Sequence, residues 1–194
     1  MIEKNICFLH IPKCAGRSIE MTLRDNIDDF VYAQSKPILH YIKKEDLEKY
    51  FKFTFVRNPW DRMVSLFYFI SNRNGTISRF LNLPADRYYH SKYNGDFNLF
   101  MKDFAKGFVP YQHLFKPQYY ITTKNLDLFD FIGRFENLQE DYNHVCSLCG
   151  IQRHDLFHYN KSKHLMYKEL YNDFSKKIVE RIYKKDIELF DYDF

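Results

Sequence analysis

Ile6-Cys7-Phe8-Leu9-His10-Ile11-Pro12-Lys13-Cys14-Ala15-Gly16-Arg17-Ser18-Ile19 is the stretch from which the rest of the chain can be read. The apolar run Ile6 to Leu9 is too short for a helix and has the β-branched and aromatic character of a buried strand. A turn follows at His10-Ile11-Pro12. The small residues Cys14, Ala15 and Gly16 let the backbone curl tightly, and helical spacing resumes at Ser18 and continues through Ile19, Glu20, Met21, Thr22 and Leu23. A strand, a tight loop and a helix N-terminus aim several backbone N–H groups and the positive end of a helix dipole at one point, and Lys13 adds a full charge there. That point suits a phosphate or sulfate. The loop is not a Walker A sequence, because Lys13 precedes Gly16 instead of following the second glycine. Taken alone, it leaves a surface turn with a solvated lysine open as well.

The second informative stretch is Phe51-Lys52-Phe53-Thr54-Phe55-Val56-Arg57-Asn58-Pro59-Trp60-Asp61-Arg62-Met63-Val64-Ser65. Phe51 to Val56 predicts a strand, Arg57 ends it, Asn58-Pro59 turns the chain, and Asp61 is the expected N-cap of an apolar-periodic helix. Arg57 and Ser65 can share one anion if that helix folds back past the carboxyl edge of the strand. A guanidinium and a hydroxyl are good partners for a phosphate monoester. An ion pair of Arg57 with Asp61, and Ser65 as a plain helix hydroxyl, are the alternatives.

The chain has 194 residues, enough for one domain with a substantial core. Its net charge of +4 is compatible with anionic ligands, but no Lys/Arg run tracks a phosphate backbone, which argues against nucleic acid. Aromatics, at 19%, can build the core or stack on a planar ring. Of the four cysteines, Cys7 and Cys14 lie in or beside the first loop, and Cys146 and Cys149 form one C-x-x-C. This is no secreted disulfide framework and suggests a reducing compartment. Cys146 and Cys149 with His144 and His154 have the residue types of a zinc site but lack a second ligand pair at standard spacing. No stretch has the length of a membrane span and no export signal is evident, so the expected location is cytoplasmic.

Farther along, Phe30 to Tyr32 reads as a short strand. Pro37 to Ile42 reads as another, placing His40 at a strand end before the charged helical segment Lys43 to Lys49, where parallel α/β sheets bind ligands. Tyr119 to Thr122 and Phe129 to Phe135 read as strands, and Leu138 to Leu148 as a helix. A final helix is expected over Asp173 to Leu189, with Phe174, Ile178 and Ile182 turned to the core. Arg73, Arg79, Arg87, His90 and Lys92 lie in a polar, turn-rich middle and could read an acceptor, with a solvated surface as the default.

HIPKCAGRSI followed by FVRNPWDRMVSLFYF resembles the two nucleotide-binding signatures of sulfotransferases that use 3′-phosphoadenosine-5′-phosphosulfate (PAPS), in particular the carbohydrate sulfotransferase group. The resemblance continues in His113-Leu114-Phe115-Lys116-Pro117-Gln118, Gly133-Arg134-Phe135-Glu136-Asn137-Leu138, Asn160-Lys161-Ser162-Lys163-His164 and Asp186 to Tyr192. It implies an α/β, three-layer P-loop-like fold with a mainly parallel central sheet flanked by helices, as a single sulfotransferase domain over residues 1–194. It further implies that Pro12, Lys13, Cys14, Ala15, Gly16, Arg17 and Ser18 hold the 5′-phosphosulfate and that Arg57 and Ser65, eight residues apart, hold the 3′-phosphate. Lys161 and Lys163 either close over the nucleotide or are solvated. Lys13 stabilises the leaving phosphate, and the acceptor base is His40, with His113 second; His10 supports the turn. The implied reaction moves a sulfuryl group from PAPS, leaving 3′-phosphoadenosine-5′-phosphate (PAP), to a carbohydrate or glycoconjugate hydroxyl, with no metal required. The resemblance suggests a bacterial-type relative.

Two departures stand out. Cys14 and Arg17 replace the hydroxyl residues usual in the family's loop. Arg17 either adds charge to the site or points to solvent. The competing readings are a nucleotide or small-molecule kinase, which would need a Mg²⁺ carboxylate and the GK[ST] ending, and a nucleotide-binding module without catalysis.

Overall fold

The short apolar runs that alternate with amphipathic segments do form parallel strands joined by helical crossovers. The computed structural model describes residues 5–27, 30–34, 36, 38–71, 85–110, 112–122, 125–156 and 166–194. In chain order the strands are β1 (Asn5–His10), β2 (Val31–Gln34), β3 (Tyr50–Val56) and β4 (Phe131–Arg134). The α-helices are α1 (Gly16–Asn26), α2 (Pro59–Ser71), α3 (Ala85–Tyr93), α4 (Phe97–Ala105), α5 (Gln118–Ile121), α6 (Leu138–Cys149), α7 (Tyr167–Leu170), α8 (Asp173–Ile182) and α9 (Lys184–Phe190).

All strand pairings are parallel, in the order β2-β1-β3-β4. Such a sheet must be covered on both faces, and its strands accordingly read as continuous apolar runs: Cys7, Phe8, Leu9, Phe53 and Phe55 are all buried. The fold is the α/β, P-loop-like class, a parallel sheet flanked by helices. Because β1 and β3 are parallel neighbours in the register Leu9↔Thr54, their carboxyl ends emerge at the same edge. That register puts the loop after His10 beside Arg57, and Thr54 Oγ1 reinforces it by donating to Leu9 O at 2.8 Å.

The chain divides into two units: residues 1–57 with 118–161, and 58–117 with 162–194. The first carries the sheet with α1 and α6. Its opposite edge is bracketed by Lys52 and Asp130, joined by a 2.6 Å ion pair and by a 2.8 Å bond from the Lys52 N–H to the same carboxylate oxygen. The second unit is helical and absorbs much of the aromatic content. Phe67, Tyr89, Tyr93, Phe97, Phe100 and Phe115 are all buried in one cluster, with ring centroids such as Phe67 and Phe100 5.0 Å apart.

Several local expectations are corrected. Tyr119 to Thr122 is not a strand: Gln118–Ile121 is a helical turn closed by Thr122 N to Gln118 O at 3.0 Å. So short an apolar run does not fix its own period. Pro37 to Ile42 is not a strand either. Ile38–His40 is a 3₁₀ turn in which the N–H groups of Tyr41 and Ile42 both bond to Ile38 O, with Ile38 and Ile42 buried and Leu39 exposed. Residue 37 lies outside the described residues. The N-cap of α2 is Asn58 and not Asp61: Asn58 Oδ1 accepts from Trp60 N at 3.0 Å and Asp61 N at 3.4 Å, and Pro59 takes the first helical position, where it lacks only a bond no helix makes. The final helix is two, α8 and α9, broken at the buried Tyr183, whose hydroxyl donates to Phe115 O at 2.6 Å. Phe174 is exposed instead of core-facing.

Among the described residues no helix is long and apolar enough to cross a membrane.

Candidate functional site

The site is built at the carboxyl ends of β1 and β3. Between β1 and α1 the chain turns with Cys14 N bonded to Ile11 O at 3.2 Å, and two non-glycine residues, Lys13 (φ 70°) and Ala15 (φ 58°), adopt the left-handed conformation. Each such residue costs about 1–3 kcal/mol and persists only where its surroundings over-determine it. Three sets of contacts do so. Arg57 Nη1 donates to Lys13 O at 2.9 Å. Cys14 Sγ, buried, donates to Gln118 Oε1 at 3.3 Å. His10 lies over Gly16 so closely that a Cβ at residue 16 would stand 1.8 Å from its Cδ2, so only glycine fits.

Ala15 is the N-cap of α1 and offers no side-chain oxygen to the first turn. The N–H groups of Gly16, Arg17 and Ser18 have no acceptor within their own helix, and the alternating backbone handedness that precedes them is the geometry of an anion-binding concavity.

Lys13 is half-buried, and burial together with the nearby Arg57 guanidinium pulls its pKa down to about 8. Two cations held this close favour an anion between or beside them. Arg57 is itself buried, and its guanidinium stacks 3.9 Å from the ring centroid of Phe135, which follows β4.

Behind the loop lies a polar chain. His10 Nδ1 and the Tyr32 hydroxyl are 2.5 Å apart, and burial together with the Glu20 carboxylate raises the Tyr32 pKa. Burial, with Lys13 and Arg17 assisting, drives the His10 pKa down to about 4 despite the Glu20 charge, so the ring is neutral. Arg17 and Arg24 clamp Glu20 at 3.2 and 3.0 Å.

The structure thus brings Lys13, Cys14 and Arg57 together, with Pro12, Ala15, Gly16 and Ser18 forming the surrounding turn. Cys14 faces inward to Gln118. Arg17 is exposed and pairs with Glu20. Ser65 is buried on α2 in the second unit. His40 is exposed on its 3₁₀ turn, 3.2 Å from Lys36 Nζ and edge-on to Tyr41. His113 is exposed in the 3₁₀ turn Gln112–Phe115 of the second unit. Lys161, Lys163, Arg73 and Arg79 lie outside the described residues. Lys92 is engaged on the surface by Asp103 at 2.8 Å. Cys146 is buried on α6 and His144 packs on Phe131; among the described residues no three His, Cys, Asp or Glu side chains converge.

Sequence reasoning did not single out Gln118, Phe135, Tyr32 or Glu20. Gln118 and Phe135 do fall within the motifs His113 to Gln118 and Gly133 to Leu138, which was the available signal.

A family model described as the sulfotransferase family matches residues 2–193. An uncharacterized protein of Archaeoglobus fulgidus is 31% identical over 115 residues, covering 59% of this chain and 79% of that one. The crystal structure of mouse sulfotransferase SULT7A1 complexed with PAP shares the fold, with a TM-score of 0.58 at 11% identity over 97% of this chain and 86% of that chain.

Proposed function

The chain belongs to the sulfotransferase family, and we propose that it moves a sulfuryl group from PAPS to a hydroxyl of a carbohydrate or glycoconjugate, releasing PAP. One observation carries the donor assignment: Lys13 and Arg57 project from the carboxyl ends of adjacent parallel strands, bonded through the Lys13 carbonyl, beside the N-terminus of α1, whose N-cap Ala15 supplies no side-chain oxygen. A bis-anionic nucleotide would relieve the repulsion that depresses Lys13.

In this reading the turn from Pro12 to Ser18 takes the 5′-phosphosulfate, chiefly through backbone N–H groups, since Cys14 faces inward and Arg17 pairs with Glu20. Arg57 takes the 3′-phosphate, the role that the resemblance assigns to it together with Ser65. The donor supplies an activated sulfuryl group. Lys13 neutralises charge developing toward the 5′-phosphate, and a preorganised ammonium does this without rearranging in the transition state. An acceptor hydroxyl needs a general base, most often a histidine, for which His40 is the first candidate and His113 the second. His10, neutral and spent on Tyr32 and Gly16, supports the turn. The family match over residues 2–193 supports one sulfotransferase domain, and the four free thiols fit the reducing, cytoplasmic setting proposed.

The test is incubation with ³⁵S-labelled PAPS and a panel of neutral and acidic oligosaccharides, with lipid and amine acceptors alongside. Label entering an oligosaccharide with equimolar PAP release is the expected result. Label entering only a lipid or amine would overturn the acceptor assignment, and consumption of ATP instead of PAPS would overturn the donor.

A further inference from the structure

The side-chain amide of Gln118 is fully buried at the start of α5 and engages both Arg57 and Cys14. Its Oε1 accepts from the Arg57 backbone N–H at 2.8 Å, and its Nε2 donates to the Arg57 carbonyl at 2.8 Å. Cys14 Sγ donates to the same Oε1 at 3.3 Å. The first two contacts imitate a neighbouring strand. They satisfy both backbone groups of residue 57 just where β3 has ended, so the position of Arg57 is fixed through its main chain and not only through its guanidinium. The third contact ties that residue to the loop. With Arg57 Nη1 on Lys13 O, loop and arginine share two bridges, one through Cys14 and Gln118 and one through Lys13.

We propose that Gln118 is a positioning residue that fixes the spacing between the Lys13 loop and Arg57, so that one nucleotide can engage both with its two phosphates. The inference rests on the assignment of those groups to the 5′- and 3′-phosphates. A nucleotide carries its phosphates at a separation set by its own ribose. Two sites held at the matching distance reinforce each other, whereas two sites free to drift each bind one phosphate and lose the joint engagement. Gln118 touches neither phosphate. Its effect is confined to ligands that carry both.

The experiment is calorimetric titration of adenosine 5′-phosphate, adenosine 3′-phosphate and PAP into the wild type, Gln118→Met and Cys14→Ala. Methionine keeps the length and burial of Gln118 and removes both polar atoms. Wild type is expected to bind PAP at least about tenfold tighter than either monophosphate, the equivalent of one charge-assisted hydrogen bond. Gln118→Met is expected to lose about tenfold or more of PAP affinity while each monophosphate changes less than about threefold; Cys14→Ala, which removes the thiol contact and leaves the two amide contacts to Arg57, falls between. Equal loss on all three ligands would mean that Gln118 only supports the fold, and would overturn the proposal, as would unchanged PAP affinity. If Gln118→Met fails to fold, Cys14→Ala decides on the same criteria. A wild type that binds PAP no tighter than the monophosphates would overturn the phosphate assignment itself. That result is distinct from a wild type that prefers PAP and a variant that keeps the preference.

Discussion

Arg57 reaches back from the end of β3 and donates from Nη1 to the main-chain oxygen of Lys13 at 2.9 Å, across 44 residues of sequence. The guanidinium thus supports the strained loop with one edge while its face rests on Phe135. Lysine cannot do both at once, having no planar fork to share between a carbonyl and a phosphate and no flat face to stack. Arg57→Lys is therefore expected to weaken PAP binding by about 10- to 100-fold although the charge is kept, the worth of one charge-assisted bond at about 1.5–3 kcal/mol. Calorimetry checks this, and a variant with wild-type affinity would show that charge alone matters.

In the proposed assignment Lys13 makes nucleotide binding depend on pH. Its pKa in the free protein is about 8, and an anion bound beside it raises that value, so binding above pH 8 takes up a proton and affinity falls as pH rises through that range. Titrations at pH 9 in buffers of different ionisation enthalpy should register the uptake. Arg57→Ala removes one of the two causes of the depression and should move the onset of the decline to higher pH. An affinity flat from pH 7 to 10 would contradict the placement of Lys13 at the phosphate.

Gly16 is required by contact with the His10 ring and not by its own dihedrals, since a Cβ there would overlap His10 Cδ2 at 1.8 Å. Gly16→Ala should cost about 1–3 kcal/mol by overpacking, more than the roughly 1 kcal/mol that alanine gains in a helix. Urea denaturation measures the loss. Truncating the ring in Gly16→Ala/His10→Ala should recover part of it, and strictly additive losses would rule out the clash.

Acid should unfold the protein partly through His10. Its folded pKa of about 4 lies below the unfolded 6.5, so between those values the unfolded chain binds a proton that the folded chain refuses. Stability should decline as pH falls across that window, by about 1.4 kcal/mol per unit from this group, and level off below it. His10→Gln should flatten the slope in denaturation curves taken between pH 6.5 and 4. An unchanged slope would assign the acid lability to other groups.

How far the sequence could be read depended on the range over which each feature is determined. β1, β3 and the helices after them follow from local periodicity, and Arg57 at a strand end is visible because the run Phe51 to Val56 stops there. The Asn58 cap was missed, because Asn58-Pro59 reads as a turn and the acidic Asp61 after it as the cap. The left-handed Lys13 and Ala15 were hidden, because neither residue type advertises positive φ and the contacts that hold them come from elsewhere in the chain. Gln118 was hidden for the same reason: its partners lie 61 and 104 residues away, and the local run Tyr119-Tyr120-Ile121 reads as strand. The inward turn of Cys14 could not be inferred without Gln118.

The most direct test of the central claim is calorimetric titration of the purified protein with PAP, with ATP and Mg²⁺ as the control, repeated on Arg57→Ala. The expected result is PAP binding well in excess of ATP binding, reduced by at least about tenfold in the variant. Preference for ATP, or PAP binding untouched by the loss of Arg57, would contradict it.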